Sequence, residues 1–547
     1  MFKVLLGFLF TISFTTHFAF AEVLTTEQKL NDFDQLNYMI QSQYGPFKYK
    51  QEVVGLNLLE LKQKYKTQIE KTTTNAEYYY LLVQYVAEFR DGHFGIYVPS
   101  TSRRSVPVMT DLVEGKVLID SVDRSELSQA EFPYERGDEI LSVNGQPVQE
   151  VIAQLRRFVS YGNELGRHRI AAQLIFNRSG ALLPAPTNEV LTVQVRRGTS
   201  TIVETVTLHW KTEGTAFDEI RPTQLMKNRG FSLADQTQAP MATKYDQLSN
   251  RAVKERYLSP KRMERTYQCS GGTRVHIPKD AVMVVTEPFV AYYHPTAKGY
   301  VGYLRVPHYS WGRDQEAVYQ KYVYAIQTFE KNTVGLIIDQ DHNCGGSVQL
   351  VEDMVSLFLN EPADPLVFEL RASKKSYMDI RDWKEQTPEK TLDFEHLENL
   401  LTLVKTSWAK GQYLTTKTGL TRSKIYPAAI RYTKPVVITI DEMSGSGGDA
   451  FPSMMKGYGL ATLVGKTTAG LGGHVNEMPD LNNSAMKIYM TMSLFYRPDG
   501  VAVENNGAVP DVEYTLTRDD FLYGYKNYQK FYLKTLFGLI DKNSRGM

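Results

Sequence analysis

The sequence predicts an α/β protein of several domains: an N-terminal helical bundle, a β-rich middle segment and an α/β core. Three observations carry this reading. Between residues 25 and 90 apolar residues recur at helical spacing, first Leu30, Phe33, Leu36 and Ile40, later Tyr79, Leu82, Val83 and Val86. Between 100 and 212 that pattern gives way to short β-branched runs separated by turn residues. From residue 281 onward apolar strands alternate with helices, the signature of an α/β layer with its sites at the carboxyl ends of strands.

Composition and charge narrow the class. The chain has 547 residues, 42% of them hydrophobic, enough for a large core. Lys+Arg is 62 against 61 Asp+Glu, so no basic field argues for nucleic acid or an anionic membrane. Met1-Phe-Lys3, the apolar run from Val4 to Phe14 and Ala19-Phe-Ala21 predict a signal peptide cleaved after Ala21. That run is too short for a comfortable membrane span, and no later stretch reaches spanning length. Residue 22 is Glu, not Cys, which argues against a lipid anchor on the new N-terminus. The expected address is periplasmic or extracellular. Cys269 and Cys344 could pair there, and spacing alone does not decide it.

Within the bundle, Thr25 or Thr26 is the expected cap of the first helix, Leu58 to Tyr65 begins a second, and Ala76 to Phe89 forms a third. Gly92 and Gly95 end it, which places His93 on a turn beside Asp91, before the extended run Ile96-Tyr-Val98. In the middle segment, Lys116–Asp120, Glu139–Val143, Leu191–Val195 and Ile202–Trp210 read as strands. Asn144-Gly145 is a tight hairpin signal, and Val148 to Phe158 reads as a helix. Ser160 to Thr187 reads as an insertion with a short helix of its own, and 213–280 as a connection that is helical from Gln247 to Tyr267. In the core, Ala281–Val285, Gly299–Val306, Thr333–Asp339, Pro435–Ile440 and Ala461–Gly465 are the strands. Helices are expected over Asp314–Lys331, Ser347–Leu359 and Ala450–Tyr458.

The chemistry concentrates at Asp441-Glu-Met-Ser-Gly-Ser-Gly-Gly-Asp-Ala-Phe-Pro452, between a buried strand and a helix. A serine on such a turn points away from the backbone, and the Gly447 N–H behind it faces a developing negative oxygen. Serine also needs a base and a group that orients the base. The chain offers one coherent set: Ser446 to attack, His93 as base, and Glu504 to hold the imidazole. Gly447 with Gly345 or Gly346 supplies oxyanion donors. Asp91 is a second candidate to steer the ring, and His474 a rival base. Gly465-Lys-Thr-Thr lacks the earlier glycine of a phosphate-binding loop, since Leu460 stands there, and the histidines show no zinc spacing. No metal or cofactor is expected.

Two resemblances sharpen this. Arg136-Gly-Asp-Glu-Ile-Leu-Ser-Val-Asn-Gly-Gln-Pro-Val148 resembles a PDZ domain, although no glycine-rich carboxylate loop stands near Pro107-Val108. Asp91-Gly-His93, Ile337 to Gly346, Met443 to Asp449, Leu463-Val-Gly465 and Glu504 to Asp511 resemble, in order, the motifs of S41 family serine peptidases, the C-terminal-processing and tricorn-like proteases. The resemblance implies a ClpP/crotonase-like α/β protease core, Ser446 as nucleophile, and protein or peptide substrates. The lysine base of the processing branch is replaced here by Leu471, whereas the histidine and glutamate of the tricorn-like branch match His93 and Glu504. That branch can carry serine before the histidine, and here it is Gly92. The implied layout is a signal peptide at 1–21, a helical domain at 22–98, a PDZ-like domain at 99–212 and the protease core with its linker at 213–547. The expected function is an exported serine endopeptidase; the alternatives are a catalytically inactive PDZ-containing peptide-binding protein and, more distantly, a hydrolase of non-peptide acyl groups.

Overall fold

A computed structural model describes residues 23–217, 277–387, 389 and 392–546. Cys269 and the helix expected over 247–267 lie outside the described residues, as does the signal segment 1–21.

The three N-terminal helices are Thr26–Gln43, Leu58–Ile69 and Asn75–Ala87. Each begins where a polar side chain satisfies an orphan N–H: Thr25 accepts from Gln28, Asn57 from Glu60 and Thr74 from Glu77. Their apolar faces do not close on one another alone. Leu36, Ile40, Leu82 and Phe89 pack in one core with Met486, Ile488, Met490 and Met492 from the far end of the chain. The strand Gly95–Tyr97 joins the same unit by pairing antiparallel with Lys487–Thr491, which in turn pairs with Val475–Met478. The first and last thirds of the chain are therefore one packed body, and this is what carries the His93 turn to the core.

The middle segment is an antiparallel sheet whose main path runs Val108–Val113, Lys116–Val122, Glu139–Val143, Val190–Arg196, Val203–His209. Asn144 and Gly145 both take left-handed φ, 50° and 78°, and Val143 pairs with Gln146 across them. The inserted helix is Glu164–Gln173; it lies against Val108–Val113, where Thr110 Oγ1 donates to the Ala172 carbonyl at 2.8 Å.

The core is a seven-stranded sheet in the order Val282–Val285, Ala291–Thr296, Gly299–Arg305, Gly335–Asp339, Val436–Ile440, Thr462–Gly465, Val512–Glu513. From Gly299–Arg305 onward the neighbours are parallel. Gly335–Asp339 and Val436–Ile440 are buried at every position, as expected for central strands covered on both faces. Helices Gln315–Asn332, Val348–Ser356 and Gly447–Gly457 cover one face, and Lys526–Gly546 the other. The serine helix begins at Gly447, three residues before the expected start, because the glycines form its first turn.

One buried ion cluster fastens the middle segment to the core. Arg169 donates to both oxygens of Asp111 (2.8 and 2.6 Å) and reaches Asp441 at 3.2 Å and Glu442 at 3.1 Å. Its Nη2 lies 2.9 Å from His342 Nε2. A guanidinium only donates, so that nitrogen is an acceptor and the imidazole proton sits on Nδ1, 2.6 Å from Asp441 Oδ2. Removing the cation strands three buried carboxylates. Arg169→Met is expected to cost about 3–5 kcal/mol, read as a large fall in the thermal unfolding midpoint; a midpoint unchanged from the wild type would show that the cluster does not fasten the two parts.

Candidate active site

The site grows from two loops that leave adjacent parallel strands. Asp339 is paired with Thr439, so the chain segments that follow, 340–346 and 441–446, run side by side. Gly445 N donates to the Asn343 carbonyl at 2.9 Å, and His342 N donates to Asp441 Oδ1 at 2.8 Å. Ser444 is fully buried and its hydroxyl lies within hydrogen-bond distance of the Gln340 carbonyl (2.7 Å) and Asp441 Oδ1 (2.9 Å), which makes it a structural serine.

Ser446 stands at φ 61°, ψ −113°, a backbone conformation that costs a non-glycine residue about 1–3 kcal/mol. Asp449 holds it there by accepting the Ser446 N–H at 2.6 Å, and it also accepts from Thr468 Oγ1, Gly470 N and Leu471 N. Burial pushes the Asp449 carboxyl up to about 6, against these four donors. The twist turns the serine side chain toward a cavity lined by Ser446, Gly447, Gly346, His93 and His474 and by apolar side chains that include Val351, Phe368, Ile380, Trp383 and Phe495.

The candidate oxyanion donors narrow to a pair. Gly345 N donates to Asn343 Oδ1 at 2.8 Å, so Gly345 is not available as a donor in this arrangement. Gly346 and Gly447 remain, and a Cβ on Gly447 would lie 3.2 Å from the Gly346 nitrogen. Gly346 has φ 142°, and a Cβ there would sit 2.3 Å from the Tyr309 carbonyl carbon. Only glycine lets the loop press so closely against residues 309 and 310.

His93 reaches the cavity from its turn. Asp91 Oδ1 accepts the His93 N–H at 2.8 Å, and Oδ2 accepts from Tyr44 Oη at 2.8 Å and Thr491 Oγ1 at 2.7 Å. Among the described residues these are its partners, so Asp91 sets the backbone of the turn and does not steer the imidazole. Leu471, where a lysine would stand in the processing branch, packs between the two turns. Its Cδ2 would meet a Cβ on Gly92 at 2.7 Å, and its Cδ1 a Cβ on Gly445 at 2.7 Å. A serine at 92 would require the tip of Leu471 to shift, with the Tyr161 ring close behind at 3.0 Å.

His474 has its Nδ1 2.6 Å from Ser493 Oγ. Burial first, then the nearby charges of Lys375 and His93, pull it down to about 3, so it stays neutral across the physiological range.

Glu504 is fully buried. Its partners among the described residues are Lys50 Nζ on Oε1 and Gly472 N at 2.8 Å on Oε2. The expected hydrogen bond to the His93 ring is replaced by an ion pair with a lysine from the N-terminal helices. Burial, with the charge of Asp91 added, pushes Glu504 up to about 7, while Lys50 and the Gly472 N–H pull the other way. Nothing in the sequence pattern singles out Lys50; a lysine between Tyr49 and Gln51 reads as an ordinary surface charge.

The family model "Peptidase family S41" matches residues 300–514, the stretch that holds both loops, Ser446 and Glu504, and a PDZ domain model matches residues 102–221. Residues 300–514 form an S41 peptidase domain. The chain is 27% identical to a protein of Chlamydia trachomatis serovar D over 95% of its own length and 94% of that relative. It is 25% identical to an uncharacterized protein of Chlamydia muridarum over 96% and 94%. The fold matches that of mature CPAF, solved alone and complexed with lactacystin, with a TM-score of 0.78 in both cases at 22% identity. Those matches cover 94% of this chain and 99% of the complexed chain or 98% of the free one. Among the described residues no cluster of ligating side chains suited to a metal is present, and no helix is long and apolar enough to cross a membrane.

Gly346→Ala tests the loop packing. The new Cβ displaces the Gly346 N–H from its neighbour, and hydrolysis is expected to fall by roughly 100- to 1,000-fold in kcat, measured by steady-state kinetics on a fluorogenic peptide; wild-type kcat in a folded variant would remove this N–H from the site.

Proposed function

We propose that this S41 peptidase is an exported endopeptidase that cleaves proteins or peptides through Ser446, His93 and Glu504. The observation that carries the reading is that Ser446, His93 and the Gly346–Gly447 pair line one cavity, although they come from opposite ends of the sequence. His93 takes the Ser446 hydroxyl proton as Oγ bonds to the scissile carbonyl carbon. The carbonyl oxygen, now negative, is received by the N–H groups of Gly346 and Gly447. The C–N bond breaks as His93 returns the proton to the leaving amine. Water then repeats the sequence on the acyl-enzyme: His93 takes its proton, the new acid departs and Ser446 regains its hydrogen. Glu504 acts through charge, favouring the imidazolium that forms at each step. The apolar wall beside Ser446 fits a hydrophobic side chain next to the scissile bond.

The segment 1–21 supports export, with cleavage before Glu22. N-terminal sequencing of protein recovered outside the cytoplasm is expected to begin at Glu22; a chain that keeps Met1 and stays inside the cell would overturn that part.

The test of the activity is hydrolysis of denatured casein by the full chain beside Ser446→Ala and His93→Ala. Both variants are expected to lose at least about 1,000-fold, and equal turnover by Ser446→Ala would exclude Ser446 as nucleophile. Because the charge on Glu504 is what assists, and its carboxyl is pushed up to about 7, kcat/KM should fall as pH drops through about 7. A profile flat from pH 8 to about pH 5 would contradict the role of Glu504.

A further inference from the structure

Lys50 has no part in the reaction just described, yet its side chain is completely buried beside it. An ammonium carries three protons, and this one has three acceptors from the neighbourhood of the site: Glu504 Oε1, Asn505 Oδ1 at 2.7 Å and the Arg90 carbonyl at 2.8 Å. Arg90 lies three residues before His93 and takes left-handed φ, 49°. Asn505 follows Glu504, also has left-handed φ (61°), and its Nδ2 donates to the same Arg90 carbonyl at 3.0 Å. Lys50 itself opens a π-turn, Lys50–Val54, closed by Gly55 at φ 71°. Single π-turns are rare and gather at functional sites. The preceding residue grips the same loop: Tyr49 Oη donates to the Glu504 carbonyl at 2.7 Å.

We infer that Lys50 is a positioning residue for peptide hydrolysis, a three-point tie that fixes the Glu504 carboxylate relative to the turn bearing His93. The inference rests on the proposed Ser446–His93–Glu504 chemistry. Packing alone does not explain the residue, since a methionine fills similar space without the cost of burying a charge. The tie also explains how the site works with Gly92 before the histidine: the orientation of Glu504 comes from a cation behind it. The charged and titratable groups that face Glu504 are Lys50 from the π-turn, Asp91 from the histidine turn, and Tyr44 and Tyr49 from the N-terminal helices. Of these Lys50 is the one cation, so its loss leaves Glu504 beside Asp91 uncompensated.

The experiment compares full-length wild type, Lys50→Met and Lys50→Arg on one fluorogenic peptide between pH 5 and pH 9, with circular dichroism as the folding check. Lys50→Met is expected to lower kcat by about 10- to 100-fold with KM within about 2-fold, and to move the acid limb of the profile upward. Lys50→Arg keeps the charge, so its acid limb stays at the wild-type position while kcat recovers in part. Wild-type kcat and an unmoved limb in folded Lys50→Met would overturn the inference and leave the peptidase reading intact. Absence of Ser446-dependent hydrolysis in the wild type would overturn both. If Lys50→Met does not fold, Asn505→Ala, which removes one of the three acceptors, carries the test: kcat should fall several-fold at unchanged KM, and an unchanged kcat would overturn the inference.

Discussion

Everything at the site depends on a serine held in a backbone conformation it would not choose. At φ 61° Ser446 carries about 1–3 kcal/mol of strain. A hydrogen bond to a charged group is worth about 1.5–3 kcal/mol, so the single bond from Ser446 N to the Asp449 carboxylate offsets it. The same carboxylate gathers Thr468, Gly470 and Leu471, and thereby the loop after the next strand. One buried acid thus sets Ser446, the first turn of its helix and the seat of Leu471. Leu471, with Tyr161, forms the wall on which the histidine turn rests.

The second requirement is convergence over long sequence separation. His93 and Ser446 are brought together by the continuous packing of the N-terminal helices onto the hairpin Val475–Met478 and Lys487–Thr491. Buried charges then lock the joints. Arg169 fastens the PDZ-like sheet to the loops that hold His342 and Asp441, and Lys50 fastens the N-terminal helices to the Glu504 loop. Arg169 is set among three carboxylates and Lys50 against one, in low dielectric, where unpaired charge is heavily penalised. Such joints favour one arrangement over near alternatives more than they add net stability.

Much of this was legible in the sequence because local rules govern it. The cap at Thr25, the Asn144-Gly145 turn and the buried strands 335–339 and 436–440 follow from short-range chemistry. The expected division into α/β core, PDZ-like sheet and N-terminal helices describes the architecture observed. What escaped is what distance in sequence hides. The helical segment reads as self-contained by its periodicity, yet six of the 25 buried residues in its core come from residues 478–492, four of them methionines. The motif offers Glu504 or Asp91 to steer His93, and the Glu504 carboxylate is held by Lys50, a residue with no local signature. Gly345 and Gly346 look equivalent in sequence; the Asn343 side chain separates them by taking the Gly345 N–H. Segments without strong periodicity, such as the helices Lys374–Glu385 and Leu392–Ala409, were not foreseen because tertiary packing fixes them.

The central claim is that Ser446 is an activated nucleophile and not a loop serine. The direct measurement is to expose the folded full chain to a fluorophosphonate at pH 8 and map the adduct by peptide mass spectrometry. A single adduct on Ser446, formed far more slowly in His93→Ala, is the predicted result. No adduct on folded protein, or labelling of Ser446 at the same rate without the imidazole, would contradict it.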